Sequence, residues 1–225
     1  SSGNYFNMTE RREELAANLA KVREDIAPFD PTLIVVTKTY PVTDVGILRE
    51  LGENNFGENR SSEGLEKSAV VPAHWHYQGE IQSKKIREIL KWAECIHSLD
   101  KFDHAQKISN IASESGKTVD LFIQLSLDGD PSRGGVIESE LFPLASLVAA
   151  LPFINLIGIM SVPPVALDVD TAFATIGQIH QRFVAEFPES PYLSAGMSGD
   201  YMTALANGAT HIRVGSKILG SRQYP

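Results

Sequence analysis

A single lysine closes an apolar stretch near the beginning of the sequence. Residues 33–36 are all apolar and predict a buried strand, and Lys38 follows where that strand gives out. A primary amine in this place could be a nucleophile that forms a Schiff base with a carbonyl compound. A solvated strand end would show the same pattern, and for Lys38 taken alone it is the better explanation.

Two turns of small residues in the last part of the chain could bind an anion. Residues 196–199 are Gly-Met-Ser-Gly, and Gly215 is followed by Ser216. Glycine lets the backbone approach a ligand closely, and backbone N–H groups and serine hydroxyls then donate hydrogen bonds to an anion such as phosphate. Ordinary turn glycines followed by serine helix caps have the same composition.

These residues are spread over a regular alternation of short apolar strands and helices. The strand segments are residues 33–37, 54–59, 73–79, 95–100, 119–127, 154–161, 192–196 and 211–215. Short apolar strands that alternate with helices require a parallel sheet covered by its crossovers. Eight such units predict an α/β protein of the (β/α)8 TIM-barrel class, with one extra N-terminal helix. A doubly wound open sheet is the alternative, but no GxGxxG motif opens the first helix.

The barrel prediction turns the strand list into a list of candidate site residues, because active groups lie at the C-terminal ends of barrel strands. Lys38 follows strand 1, Asn59 follows strand 2, His76 lies near the end of strand 3, and Ser161 ends strand 6. The two small-residue turns follow strands 7 and 8, where barrels often bind phosphate. Strands 1 and 8 are neighbours in a closed barrel, so Lys38 and Arg213 should lie beside the anion site. An amine next to a phosphate anchor suggests Schiff-base chemistry with a phosphorylated carbonyl compound, either pyridoxal 5′-phosphate (PLP) or the sugar phosphate of a class I aldolase.

Two other groups of residues carry less weight. Lys217 is a rival amine beside Ser216, and its place in the first turn of a helix is typical of an exposed lysine. His74 and His76 share one strand face, but no third ligand with suitable spacing accompanies them, so we expect no metal site.

Composition restricts the classes of function. The formal net charge of −8 argues against a protein that binds nucleic acid or an anionic membrane. The one cysteine, Cys95, rules out an intramolecular disulfide and is consistent with the cytoplasm. No apolar run approaches the ~20 residues of a membrane span. We expect residues 1–7 to be a remnant of expression and residues 8–225 to form a single domain.

Five stretches of the sequence together resemble the PLP homeostasis protein family, whose members are single-domain relatives of the PLP barrel of alanine racemase. The stretches are VVTKTYP, GENNFGENRSSEGLEK, HWHYQGEIQSKK, LSAGMSGDY and IRVGSKILGSR, and they run in order from about residue 33 to residue 222. The resemblance implies a TIM barrel with PLP as its cofactor.

The resemblance also implies roles for individual residues. It implies that Lys38 forms the Schiff base with PLP, that Ser198, Gly215 and Ser216 hold the phosphate, and that Arg213 lies at the pyridine nitrogen. The other residues expected at the cofactor are Asn59, His76, Ser161 and Met197.

The chain departs from the family pattern at several positions. Gly199 stands where the family usually has Asp, Ser216 replaces a usual Thr, Lys217 replaces a small residue, and Ser62 replaces a common Gln. Ser216 retains a hydroxyl. Gly199 and Lys217 could change the order or the charge of the phosphate loop.

An arginine at the ring nitrogen limits the chemistry that PLP can perform. Arginine stays charged and only donates hydrogen bonds, so the ring nitrogen must remain an unprotonated acceptor and a weak electron sink. Alanine racemase adds a tyrosine from a second domain, and we expect no such domain here. We therefore expect a cytoplasmic, monomeric PLP carrier or regulator in vitamin B6 homeostasis, without catalytic residues and with PLP-dependent apo-enzymes as candidate partners. A PLP-dependent amino-acid racemase is the alternative, and a class I aldolase-like enzyme that uses Lys38 without PLP is a third candidate.

Overall fold

A computed structural model of the protein describes residues 2–220, with the side chains of residues 7–220. Within this range eight strands alternate with helices. The strands are β1 (Thr32–Val36), β2 (Asn55–Glu58), β3 (His74–Tyr77), β4 (Cys95–Leu99), β5 (Val119–Leu125), β6 (Ile154–Ser161), β7 (Tyr192–Ser194) and β8 (His211–Val214). The helices are α1 (Ser2–Ile26), α2 (Val42–Glu50), α3 (Ser61–Val70), α4 (Ile86–Ile89), α5 (Phe102–Ser115), α6 (Glu138–Ala149), α7 (Val169–Glu186), α8 (Tyr201–Ala206) and α9 (Ser216–Leu219).

The eight strands form one closed parallel barrel in chain order. Each strand pairs with the next, and β1 closes the barrel by pairing with β8 as well as with β2. In this register Ile34 lies opposite Arg213, and Val35 lies opposite Phe56. The predicted (β/α)8 class is confirmed, including the adjacency of strands 1 and 8 on which the expected meeting of Lys38 and Arg213 depended.

The helix in front of the barrel is longer than the sequence pattern indicated. It begins at Ser2, so it includes residues 2–7, which we expected to lie outside the domain. No proline interrupts residues 2–26, and each residue added to an existing helix gains a backbone hydrogen bond at little further cost.

The apolar stripe of α1 faces the protein, as its spacing predicts. Leu15, Leu19 and Val22 are almost fully buried, and α1 packs against α2 and α9. Arg11 fastens the helix by donating hydrogen bonds to Asp44 and to a carbonyl oxygen at the end of α9.

The segment between β3 and β4 is less regular than the other crossovers of the barrel. Residues 83–85 form a 3₁₀ turn, and α4 adds only four residues after it. No helix in the part of the chain that the structure describes is long and apolar enough to cross a membrane.

Candidate functional site

A cavity of about 590 Å³ opens at the C-terminal ends of the strands. Its lining consists of Val36, Lys38, Tyr40, Asn59, Gln78, Met160, Val162, Met197, Ser198, Gly199, Arg213, Gly215, Ser216 and Gly220. Seven of the nine residues predicted at the cofactor therefore share one cavity. Its wall combines apolar side chains with an amine, a guanidinium, two amides and three hydroxyls, and it is large enough for a small cofactor.

The backbone on both sides of Lys38 is held by a buried network of charges. Lys67 is almost fully buried, and its Nζ donates to the carbonyl oxygen of Thr37 at 2.7 Å, to Glu58 Oε1 at 2.7 Å and to Glu63 Oε2 at 2.6 Å. The hydroxyl of Thr37 donates to the same Glu58 oxygen at 2.5 Å. A buried cation with three acceptors fixes the residue that precedes Lys38.

The residue that follows Lys38 has an uncommon conformation. Thr39 has φ = 69°, which is unfavourable for a β-branched residue. Its backbone N–H donates to Glu63 Oε2 at 2.6 Å, the same oxygen that accepts from Lys67. Strained backbone of this kind persists only where its surroundings hold it, and it concentrates at functional sites. The network of Lys67, Glu58 and Glu63 therefore fixes the position of the backbone at Lys38.

The loops after β7 and β8 are joined through one hydroxyl. Ser198 Oγ accepts hydrogen bonds from the N–H of Gly215 at 3.2 Å and from the N–H of Lys217 at 3.1 Å. This contact brings the two predicted anion-binding turns together. Lys217 itself is exposed and is absent from the cavity lining, as expected of a rival amine outside the site.

Glycine is required at one position of the first turn. Gly196 has φ = 104°, and a Cβ there would lie 2.8 Å from Cβ of Ala204. At Gly199 a Cβ would meet nothing within 4 Å. The departure from the family pattern at Gly199 is therefore not imposed by lack of space.

Arg213 is buried, and its side chain is fixed by groups below the cavity. Its Nη1 donates to Ser194 Oγ at 2.9 Å, and its Nη2 lies 3.5 Å from the carbonyl oxygen of Ser161. Burial lowers the pKa of Arg213 to about 10, while nearby Asp200 acts in the opposite direction. The guanidinium thus stays charged at neutral pH and presents only donors to the cavity.

Two of the predicted residues are not part of the cavity lining. His76 is buried inside the barrel, where its ring nitrogens bond to His97 and Asn55, and it lines a second cavity at the N-terminal ends of the strands. The structure therefore does not bring His76 to the cavity that the other candidate residues share. Ser161 is fully buried, and its hydroxyl donates to Leu125 O at 2.8 Å.

The cavity contains residues that the sequence patterns did not select, chiefly Gln78 and Tyr40. Gln78 is the first residue beyond β3, which ends at Tyr77. If the strand expected from the sequence had ended there, the rule that site residues follow strand ends would have indicated Gln78 and not His76. Its buried Nε2 has no hydrogen-bond partner among the described residues, so this donor is available to a ligand. The hydroxyl of Tyr40 donates to the carbonyl oxygen of Gly220.

Comparison with known proteins shows the family of the chain. The family described as "Alanine racemase, N-terminal domain" matches residues 11–223. The chain is 40% identical over 198 residues to a protein of Corynebacterium glutamicum named pyridoxal phosphate homeostasis protein, covering 84% of this chain and 90% of that one. A protein of Vibrio alginolyticus with the same name is 34% identical over 207 residues, covering 88% and 89% of the two chains.

Solved structures show the same likeness. The structure of PipY from Synechococcus elongatus with PLP bound matches with a TM-score of 0.84 and 30% identity, covering 92% of this chain and 100% of that chain. An alanine racemase of Clostridium difficile at 16% identity shares the barrel, with a TM-score of 0.76. The chain therefore belongs to the pyridoxal phosphate homeostasis proteins, within the family defined by the N-terminal domain of alanine racemase.

Proposed function

We propose that this protein binds PLP reversibly as a Schiff base on Lys38 and serves PLP homeostasis as a carrier or regulator, without substantial catalytic turnover. The observation that carries the proposal is the convergence of Lys38, Arg213 and the two small-residue loops on one cavity. Family membership and the PLP in the similar PipY structure support PLP as the ligand.

The donors of the cavity fit the chemical groups of PLP. PLP carries an aldehyde, a phosphate, a phenolic oxygen and a ring nitrogen, and the cavity offers one amine and several hydrogen-bond donors. Lys38 would take the aldehyde, the Ser198, Gly215 and Ser216 group would hold the phosphate, and Arg213 would donate to the ring nitrogen. Asn59 and Met197 remain proposed contacts, and the unpartnered Gln78 amide is added to them.

Support for weak turnover comes from Arg213. PLP supplies an electron sink when its ring nitrogen is protonated. A guanidinium that donates a hydrogen bond to that nitrogen competes with its protonation, and the pKa of about 10 keeps Arg213 in the donor form. We therefore expect Arg213 to favour retention of the cofactor over acceleration of a reaction on it.

The experiment is a spectrum of the purified protein with PLP, followed by borohydride reduction and mass mapping. We expect a yellow protein that borohydride bleaches, with the reduced adduct on Lys38. A protein that stays colourless with added PLP would contradict PLP binding and would favour the aldolase-like alternative. Incorporation of deuterium at Cα of alanine or serine, at a steady rate that depends on Lys38, would contradict the carrier role and favour the racemase.

Transfer of PLP to apo-enzymes and a monomeric, cytoplasmic protein remain predictions. Mixing the PLP-loaded protein with a PLP-dependent apo-enzyme tests the first. We expect enzyme activity to recover faster with the loaded protein than with free PLP at the same total PLP concentration.

A further inference from the structure

A chain of hydrogen bonds runs through the barrel interior from Arg213 to the opposite end of the barrel. Its members are Arg213, Ser194, His97, His76 and Asn55. The four contacts are Arg213 Nη1 to Ser194 Oγ at 2.9 Å, Ser194 Oγ to His97 Nδ1 at 2.8 Å, His97 Nε2 to His76 Nδ1 at 2.8 Å, and His76 Nε2 to Asn55 Oδ1 at 2.9 Å. The first member lines the cofactor cavity, and the last lines the cavity at the N-terminal ends of the strands.

The acceptor at one end of these hydrogen bonds fixes their direction. Asn55 Oδ1 can only accept, so a neutral His76 carries its hydrogen on Nε2, and its Nδ1 accepts from His97 Nε2. The Nδ1 of a neutral His97 then accepts the proton of the Ser194 hydroxyl. Arg213 can only donate, and the Ser194 oxygen still has lone pairs to accept from it. Each hydrogen bond therefore has one donor and one acceptor, with no conflict along the chain.

Both histidines are neutral in this arrangement. Their exposed fractions are 2% for His76 and 0% for His97, and burial holds the pKa of each ring well below its usual range. The charge of Arg213 lowers the pKa of His97 further. A neutral imidazole has one donor and one acceptor, and the chain uses both on each ring.

The same rings are close to Cys95, which raises the question of a metal site. The ligand atoms of His76, Cys95 and His97 lie within 4.8 Å of one another. Every ring nitrogen of the two histidines is already engaged in the chain, and burial raises the pKa of the Cys95 thiol well above its usual range. A metal ion would have to displace the bond between the two histidines, so the complete hydrogen-bond chain is the better reading of this cluster.

We propose that Ser194, His97 and His76 are positioning residues for Arg213, an inference that rests on the proposed PLP function. Ser194 engages Nη1 from below the cavity, while Nε of Arg213 has no hydrogen bond to any of the described residues. Nη2 lies 3.5 Å from the carbonyl oxygen of Ser161, so Nε is the donor of the planar guanidinium that is left for the ligand. His97 and His76 act through Ser194, because they prevent its hydroxyl from turning its proton toward Arg213.

The test compares two buried serines and two ligands. Ser194→Ala removes the side-chain acceptor of Arg213. Ser190→Ala removes another buried hydroxyl, which donates to Leu156 O at 2.5 Å and takes no part in these hydrogen bonds. The ligands are PLP and a carbocyclic analogue in which the ring nitrogen is replaced by C–H. The readout is the dissociation constant of each ligand from the imine absorption.

We expect Ser194→Ala to weaken PLP binding roughly 3- to 10-fold, the size of one lost hydrogen bond, and to leave binding of the analogue unchanged. Ser190→Ala should change neither. Equal weakening for both ligands, or no weakening for either, would overturn the positioning role. Failure of the unaltered protein to bind PLP is a different result and would overturn the proposed function itself.

Two variants of Asn55, at the far end of the hydrogen-bond chain, provide a second test in case the buried serine variants fail to fold. Asn55→Ala removes the acceptor of His76, and Asn55→Asp keeps an acceptor at that position. We expect ¹⁵N spectra of the ligand-free protein to show hydrogen on Nε2 of both His76 and His97. This pattern should survive in Asn55→Asp and be lost at His76 in Asn55→Ala, and hydrogen on Nδ1 of either ring in the unaltered protein would overturn the chain.

Discussion

Lys67 Nζ donates a 2.7 Å hydrogen bond to the carbonyl oxygen of Thr37, the residue immediately before Lys38. Two lysines thus have different tasks at the same strand end. Lys67 is buried between Glu58 and Glu63. The amine of Lys38 has no ion pair among the described residues and lines the cavity. The buried lysine holds the backbone, and this leaves the other lysine available for a ligand.

Lys67→Met should destabilise the protein by about 3–5 kcal/mol, because Glu58 would be left as a buried charge without a counter-ion. Burial raises the pKa of Glu58. In the variant this carboxyl can escape the penalty by taking up a proton at low pH, so the loss should grow as the pH rises through its folded-state pKa. Urea unfolding at pH 5 and pH 8 measures both effects.

The matched control for this prediction is Lys21→Met, which removes an exposed lysine from α1 and should change stability by about 0.5 kcal/mol or less. Adding Glu58→Gln to Lys67→Met should recover part of the loss. A loss for Lys67→Met no larger than that for Lys21→Met would show that the buried network does not hold this loop.

Lys38→Ala should abolish the borohydride-fixable PLP adduct, because no other amine lines the described cavity. Lys217→Ala should leave the adduct largely intact, since its side chain is exposed and only its backbone N–H contacts Ser198. Absorption spectra and peptide mass mapping measure both. Loss of the adduct in Lys217→Ala with retention in Lys38→Ala would move the site to the first turn of α9.

Gly196→Ala should cost about 1–3 kcal/mol of stability and weaken PLP retention, because a Cβ would force an unfavourable positive φ and collide with Ala204. Gly199→Ala, in the same loop, should stay within about 0.5 kcal/mol, because its Cβ would meet open space. Urea unfolding and dialysis against buffer test the pair. Similar effects of the two substitutions would contradict the structure of this loop.

The free energy of unfolding should fall as the pH is lowered from about 6.5. His76 and His97 have folded-state pKa values well below the ordinary value of about 6.5, so below that pH these two rings bind protons in the unfolded chain that they do not bind in the folded chain. Burial lowers the pKa of His104, His180 and His211 as well, and these rings add to the effect. Each proton contributes a slope of about 1.4 kcal/mol per pH unit. Urea unfolding at pH 7, 6 and 5 gives the slope.

His97→Asn removes one of the two titrating rings and should reduce that slope by about one proton. A slope below one proton in the unaltered protein would mean that the two rings are not buried and neutral as the structure has them.

The sequence by itself determined the barrel and most of the polar residues that line the cavity at the C-terminal ends of its strands. Apolar strands that alternate with helices admit few architectures, and closure of the barrel pairs β1 with β8, so Lys38 and Arg213 line one cavity. The glycines and serines in the loops after β7 and β8 were identified for a different reason. Local backbone geometry restricts which residues can occupy such turns.

Tertiary structure alone decided which of two residues on one face of β3 reaches the cavity. His76 and Gln78 are two residues apart, and side chains alternate with a period of two along a strand, so both point to the same side. Their height in the barrel depends on the register with β2, in which Glu58 pairs with Tyr77 and places Gln78 just beyond the strand end. Periodicity carries no information about that register.

The same limit applies to the networks under the cavity. Lys67 is thirty residues from Thr37, and Ser194 is ninety-seven residues from His97. No local pattern links residues so far apart, because their contact arises only when distant strands close into the barrel. The sequence therefore specified which groups are available for chemistry. Closure of the barrel decided which of these groups hydrogen-bond inside the protein and which remain available to a ligand.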